Sequence, residues 1–184
     1  MNRSSFRLLV LALTAALAAL VVALPAQAAA APYCGITWGS LPKHAGNSDP
    51  SLEGSELTAV RAGQHTCYDR LVLDATGGTR IASYRVEYVP AVRSDASGAV
   101  VPLKGGAFLQ INLGVNNATT PPAHRGDVAN VSGFRTFREV AAAGGFEGHT
   151  SEGLGVRARL PFRVFTLSGP GSTARVVIDV AHAW

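Results

Sequence analysis

The sequence predicts an all-β protein: a single-domain β-sandwich of about seven to eight short strands, preceded by a disulfide-tethered N-terminal arm. Three observations carry that prediction. Short apolar segments, rich in β-branched and aromatic residues, recur from residue 70 onward between Gly, Pro, Asn and Ser. Within them apolar and polar residues alternate at the strand period. The chain also holds one pair of cysteines behind an export-type leader, a context in which thiols oxidise.

The leader comes first. Arg3 and Arg7 precede an apolar run over 8–24, and Ala26-Gln27-Ala28 supplies the small-x-small pattern of a signal-peptidase site. These features predict a signal peptide over 1–28, cleavage after Ala28 and a secreted or cell-wall location. The run is short for a membrane span and is followed by alanines rather than a basic anchor, so no membrane span is expected after cleavage. No Cys stands at the cleavage point, which argues against a lipid anchor. Cleavage leaves 156 of the 184 residues, the size of one ordinary domain, and 14 basic against 12 acidic residues. With only two Lys and scattered Arg, nucleic acid is excluded as a partner.

Residues 29–59 read as an arm. Gly39-Ser40, Leu41-Pro42, Asn47-Ser48-Asp49-Pro50 and Glu53-Gly54-Ser55 are turn signals, and only 55–62 shows periodicity before residue 64. Cys34 and Cys67 are expected to form a structural disulfide that ties this arm to the first strong strand. Closing such a loop restricts the unfolded chain by about 3–4 kcal/mol.

The domain proper is placed at 60–184, with strands over 70–75, 84–89, 108–115, 134–142, 154–160, 162–167 and 175–180. Leu109, Ile111, Leu113 and Val115 oppose Phe108, Gln110 and Asn112. Val156, Ala158, Leu160 and Val164 likewise oppose Arg157, Arg159 and Arg163, with Pro161 as a break between two strands. The 134–142 segment also fits a short helix, because Phe134, Phe137 and Val140-Ala141 share helical spacing and alanines favour helix. Residues 94–104 and 116–133 read as loops. Arg70-Leu71-Val72-Leu73-Asp74 is echoed by Arg175-Val176-Val177-Ile178-Asp179, which suggests two similarly placed strands whose carboxylates reach a turn or an Arg.

Catalytic signatures are lacking. There is no G-x-S-x-G elbow, H-E-x-x-H, P-loop or C-x-x-C. In Cys34-Gly35-Ile36-Thr37-Trp38, which is similar to a papain-type segment, Thr37 stands where the nucleophile belongs. His44, His65, His124, His149 and His182 show no metal-ligand spacing, so neither metal nor cofactor is expected. His65, Cys67 and Asp69 fall at strand period, as a histidine pairing with a carboxylate beside a disulfide would. Carboxylate pairs for hydrolysis can be assembled from Glu147 and Glu152 or from Asp69 and Asp179, although Glu147 reads as a turn residue. Asn117-Ala118-Thr119 and Asn130-Val131-Ser132 match the N-glycosylation pattern. The candidate binding residues are Arg157, Arg159 and Arg163, whose guanidinium groups chelate carboxylate or phosphate, and Tyr33 and Trp38, which offer a stacking platform.

Several segments together carry a family resemblance: Arg61-Ala62-Gly63-Gln64-His65, Tyr68-Asp69-Arg70-Leu71-Val72-Leu73-Asp74, Tyr84-Arg85-Val86-Glu87-Tyr88-Val89, Phe146-Glu147-Gly148, Gly153-Leu154-Gly155, Pro161-Phe162-Arg163-Val164-Phe165 and the closing Arg175-Val176-Val177-Ile178-Asp179-Val180-Ala181-His182. Over about residues 60 to 184 the chain resembles the AMIN-like domain of secreted actinobacterial proteins. The resemblance implies a β-sandwich related to the AMIN domain, which targets cell-wall amidases and secretion proteins to the envelope, in some cases through peptidoglycan. It implies no catalytic residues. The chain departs from many relatives in lacking a lipid-bearing Cys and in carrying Cys67. The expectation is therefore a secreted, non-catalytic envelope module that binds peptidoglycan or another anionic wall polymer. A wall-polymer hydrolase using the paired carboxylates, or a protein-interaction module using a strand edge, are the alternatives.

Overall fold

Alternation along each segment decides which side of every strand avoids water, and two packed sheets result. The computed structural model describes residues 32–46, 55–77, 81, 83–117 and 128–184. Residues 32–184 form one compact unit; the expected leader, and the 118–119 part of the first glycosylation pattern, lie outside the described residues. Among the described residues no helix is long and apolar enough to cross a membrane.

Among the described residues a single 3-10 turn at Tyr33–Gly35 precedes ten strands. One sheet, hereafter the first, has the order β1 (Lys43–Gly46), β4 (Ser83–Val89), β5 (Ala107–Leu113), β8 (His149–Val156), β7 (Phe137–Phe146). The second has the order β6 (Asn116–Asn117), β2 (Glu56–Gln64), β3 (Tyr68–Thr76), β10 (Thr173–Ala181), β9 (Phe162–Ser168). Every pairing is antiparallel except that of β2 with β6.

The core lies between the sheets. Leu71, Leu73, Val176 and Ile178 from the second meet Leu109, Ile111, Leu113, Val140 and Leu154 from the first, all without exposed surface. Each such side chain contributes about 1.5–3 kcal/mol on burial. The link from β8 to β9 crosses between sheets and is clamped by Tyr88, whose hydroxyl donates to Leu160 O at 2.7 Å and accepts from Leu160 N–H at 3.0 Å.

One alternative is decided and one expectation needs correction. From Phe137 onward the 134–142 segment is the expected strand and not the alternative helix: Val140 faces the main core, while Ala141 and Ala143 pack with Val92 and Val101 of a loop folded across the outer face of the first sheet. Burial on both sides of a ribbon suits a strand, and small residues let the loop come close. Gly155 shows how close, since a Cβ there would stand 1.9 Å from Lys104 O. Composition also hid strands in the arm, for Lys43–Gly46 is β1 and Glu56–Gln64 is β2, paired along its length with β3. Of the other expected strands, that over 154–160 is displaced to His149–Val156, leaving 157–160 outside it, β6 lies in the expected 116–133 loop, and the rest form; Cys34 is bonded to Cys67.

The echoed segments turn out to be neighbours running in opposite directions. In the register of β3 and β10, Arg70 stands opposite Asp179 and Asp74 opposite Arg175.

Candidate functional site

Because Leu71 and Leu73 point into the core, the period of two sends Tyr68, Arg70, Val72 and Asp74 to the outer face of the second sheet. Cross-strand partners share a face, so Asp179 and Val177 of β10 and Arg163 and Phe165 of β9 join them. Asp179 is fully buried at the centre. Arg70 donates to its two carboxylate oxygens at 2.6 and 2.9 Å, and Arg163 donates to one of them from Nε at 2.8 Å. Bidentate charge-assisted bonds of this kind fix both guanidinium planes. The bond to Asp179 holds Arg70 further above its ordinary pKa.

Rings surround those guanidinium groups. Arg163 lies 5.5 Å from the Trp38 ring centre, 5.4 Å from Tyr68 and 5.2 Å from Phe165; Arg70 lies 5.1 Å from Tyr68 and 5.4 Å from Phe165. Trp38 meets Tyr68 edge-on at 6.0 Å, and His65 stacks on the other side of the group, 4.5 Å from Tyr68. The residues are half-buried rather than sealed, apart from the exposed His65. Two guanidinium groups answer one carboxylate, so the face carries excess positive charge beside apolar rings. Such a surface stacks on sugar rings and pairs with carboxylate or phosphate.

The arm builds one wall of it. Trp38 Nε1 donates to Tyr33 O at 2.8 Å, and the disulfide fixes Cys34 between them in sequence to Cys67 beside Tyr68. Cys34 has φ 53°, a left-handed conformation unusual outside glycine, and Gly35 follows at 67°. This reversal brings the arm back toward β3.

The five residues singled out from sequence meet unequal fates. Trp38 and Arg163 come together, with Tyr33 joined to them through its carbonyl. Arg157 and Arg159 lie beyond β8, in the link to β9, rather than on a strand with Arg163. Arg157 donates to the His182 carbonyl; Arg159 donates to Ser40 O at 3.3 Å and covers the Tyr88 ring at 4.7 Å. They flank the end of the sandwich where the arm crosses. Tyr68, Arg70 and Phe165 were overlooked as surface residues. The period-two position of Tyr68 and Arg70 beside Leu71 was the available signal.

The carboxylates are dispersed. Asp69 turns inward, accepting from the N–H groups of Thr136 at 2.6 Å and Phe137 at 3.1 Å and facing His182 Nε2 at 3.0 Å. The histidine paired with it is thus His182 and not His65. Asp69 and Asp179 occupy opposite sides of their sheet. Glu147 lies in the β7–β8 turn with φ 47°, while Glu152 faces the core beside Leu154. Burial pushes the Glu152 carboxyl up to about 8. Among the described residues no cluster of three His, Cys, Asp or Glu side chains can hold a metal ion.

A groove of about 400 Å³ runs over the first sheet, lined by His44, Arg85, Asp95, Asn112 and His149 among others. Its charges are mixed, and Arg85 is engaged by Glu87 at 2.6 and 2.9 Å. Among the described residues it shows no aromatic–guanidinium stack like that of the opposite face.

No curated protein and no solved structure matches the chain significantly. The family model of the AMIN-like domain matches residues 55–182, which spans β2 through the end of β10 and takes in Tyr68, Arg70, Arg163, Phe165 and Asp179. With its two-sheet architecture in register and well over half of its length matched, the chain belongs to the AMIN-like domain family.

Proposed function

We propose that this protein is a secreted, non-catalytic module that holds to the cell wall, and that the outer face of the second sheet is where it binds an anionic glycan such as peptidoglycan. Membership of a domain family associated with the cell envelope supports the setting. The observation that carries the ligand is the assembly of Trp38, Tyr68 and Phe165 around Arg70 and Arg163. Rings supply apolar area for pyranose faces, and the guanidinium edges left over from Asp179 pair with the acid groups of the polymer.

Arg157 and Arg159 extend the positive charge along one end and steer rather than anchor. Their exposed charges act over a screening length of about 8 Å at physiological ionic strength. Charge reversal at both therefore weakens co-sedimentation with isolated walls at low salt and has little effect at high salt. Trp38→Ala and Tyr68→Ala instead reduce co-sedimentation at every salt concentration. Wild-type protein that fails to sediment with walls, or alanine variants that sediment like wild type, would overturn the proposal.

A further inference from the structure

Strand β9 ends the second sheet, with an outer edge at Val164 and Thr166 that pairs with no strand among the described residues. Two hydrogen bonds fix which backbone groups point outward. Phe162 N–H donates away from β10, to Gly39 O at 2.8 Å, whereas Ala181 N–H donates to Pro161 O at 2.9 Å. Pairing in an antiparallel ladder alternates, so Arg163, Phe165 and Leu167 bond to β10 while Val164 and Thr166 turn their N–H and C=O groups to the edge. Those groups have no partner among the described residues.

The other edges are guarded. β7 has bulges near 138 and 143, and its edge carbonyls at Val140 and Ala143 accept from Val128 N–H at 3.1 Å and Asp95 N–H at 3.2 Å. Among the described residues β6 has two and β1 has four, including Lys43. β9 has no Pro, Lys, bulge or acidic residue within it, the devices that usually prevent strand addition. Arm residue Gly39 already occupies the first place, as an antiparallel bridge to Phe162.

We infer that the β9 edge receives an extended acidic segment of a partner protein as an added strand. Lys43 lies 5.1 Å from the Phe162 ring centre, Arg163 shares Asp179 with Arg70, and Arg175 stands opposite Leu167. The nearby carboxylates are committed, Asp179 to Arg70 and Arg163 and Asp74 to Arg61 at 2.6 and 2.9 Å. The edge is consequently bordered by cations. A second copy pairing edge to edge would add a second set of the same cations, so an acidic strand is favoured over self-association. Residues of that strand opposite Phe165 and the exposed Leu167 are apolar, the one opposite Arg163 is acidic, and main-chain bonds to Val164 and Thr166 set the register.

The test is a titration of ¹⁵N-labelled protein with the capped peptide Glu-Val-Thr-Val-Thr-Asp-Glu. The Val164 and Thr166 amides should shift and exchange more slowly with solvent. Replacing the acidic residues by lysine should weaken binding at least about tenfold, and N-methylation of the two threonines should abolish it. Thr166→Pro removes an outward N–H without touching the β10 ladder, so binding should be lost while melting stays near wild type. No shift at β9 at millimolar peptide would overturn the inference, as would binding that survives N-methylation. Concentration-dependent dimers in sedimentation that disappear in Thr166→Pro would give the edge to a second copy and overturn it equally.

Discussion

Replacing Glu152 by glutamine should abolish a large pH dependence of stability. Glu152 sits on β8 opposite Ile111 and Ala142, and its residue surface is 2% exposed. Among the described residues its Oε2 has no hydrogen-bond partner. Thr150, two residues earlier on the same face, spends its hydroxyl on Val115 O at 2.8 Å. Burial without a partner disfavours the carboxylate, and the pKa rises from 4.5 to about 8. Below pH 4.5 both folded and unfolded chains keep the proton. Between 4.5 and 8 only the unfolded chain releases it, so stability falls as pH rises, and above 8 the whole contribution is lost. At about 1.36 kcal/mol per pH unit, that window amounts to about 5 kcal/mol, a large share of the roughly 5–15 kcal/mol of a typical domain. The corresponding fall in Tm for a chain of this size is about 10–20 °C. Thermal unfolding followed by circular dichroism from about pH 5 to 9 reads it directly. The Glu152→Gln protein should show a flatter curve that crosses wild type and lies above it at the alkaline end. Parallel curves for wild type and Glu152→Gln would refute the reasoning.

Other expectations follow from single contacts. Cys67→Ser should cost about 3–4 kcal/mol, seen as a lower Tm, and non-reducing peptide mapping of the wild type should recover the Cys34–Cys67 pair. Asp179→Asn leaves Arg70 and Arg163 without their shared charge and should destabilise by about 3 kcal/mol in denaturant titration; an unchanged midpoint would count against the clamp. Gly155→Ala forces a methyl into Lys104 O and should cost about 1–3 kcal/mol, again read from the denaturant midpoint. Mass spectrometry of culture supernatant should find a chain beginning near Ala29, and a membrane-bound chain with its leader intact would contradict export.

Fold class was legible because β3, β5 and β10 each bury one face or a long apolar middle, and the alternation of Leu109, Ile111 and Leu113 has no helical counterpart. β1 and β2 were not legible. Lys43–Gly46 is a short exposed edge, and β2 mixes Ala, Gly and Gln with Arg, so partnership with β3 rather than its own pattern makes it a strand. The alanines of β7 left a short helix open beside the expected strand, and helix propensity yields there to a loop packed on the outer face of the first sheet. At the candidate site, Trp38 and Arg163 could be chosen by chemistry. Arg70 and Phe165 could not, because their meeting depends on the antiparallel register that sets Arg70, Asp179 and Arg163 in one row. Nor does a sequence reveal that Arg157 and Arg159 follow the end of β8 and turn to backbone carbonyls.

The wall-binding account is tested most directly by the fluorescence of Trp38 itself. In a Trp184→Phe background Trp38 is the one remaining tryptophan, and titration with solubilised peptidoglycan fragments should change its emission saturably. The same titration with Tyr68→Ala added should show a much weaker response. A saturable response of equal affinity in both proteins, or no response while the intact protein still sediments with walls, would place binding elsewhere and contradict the account.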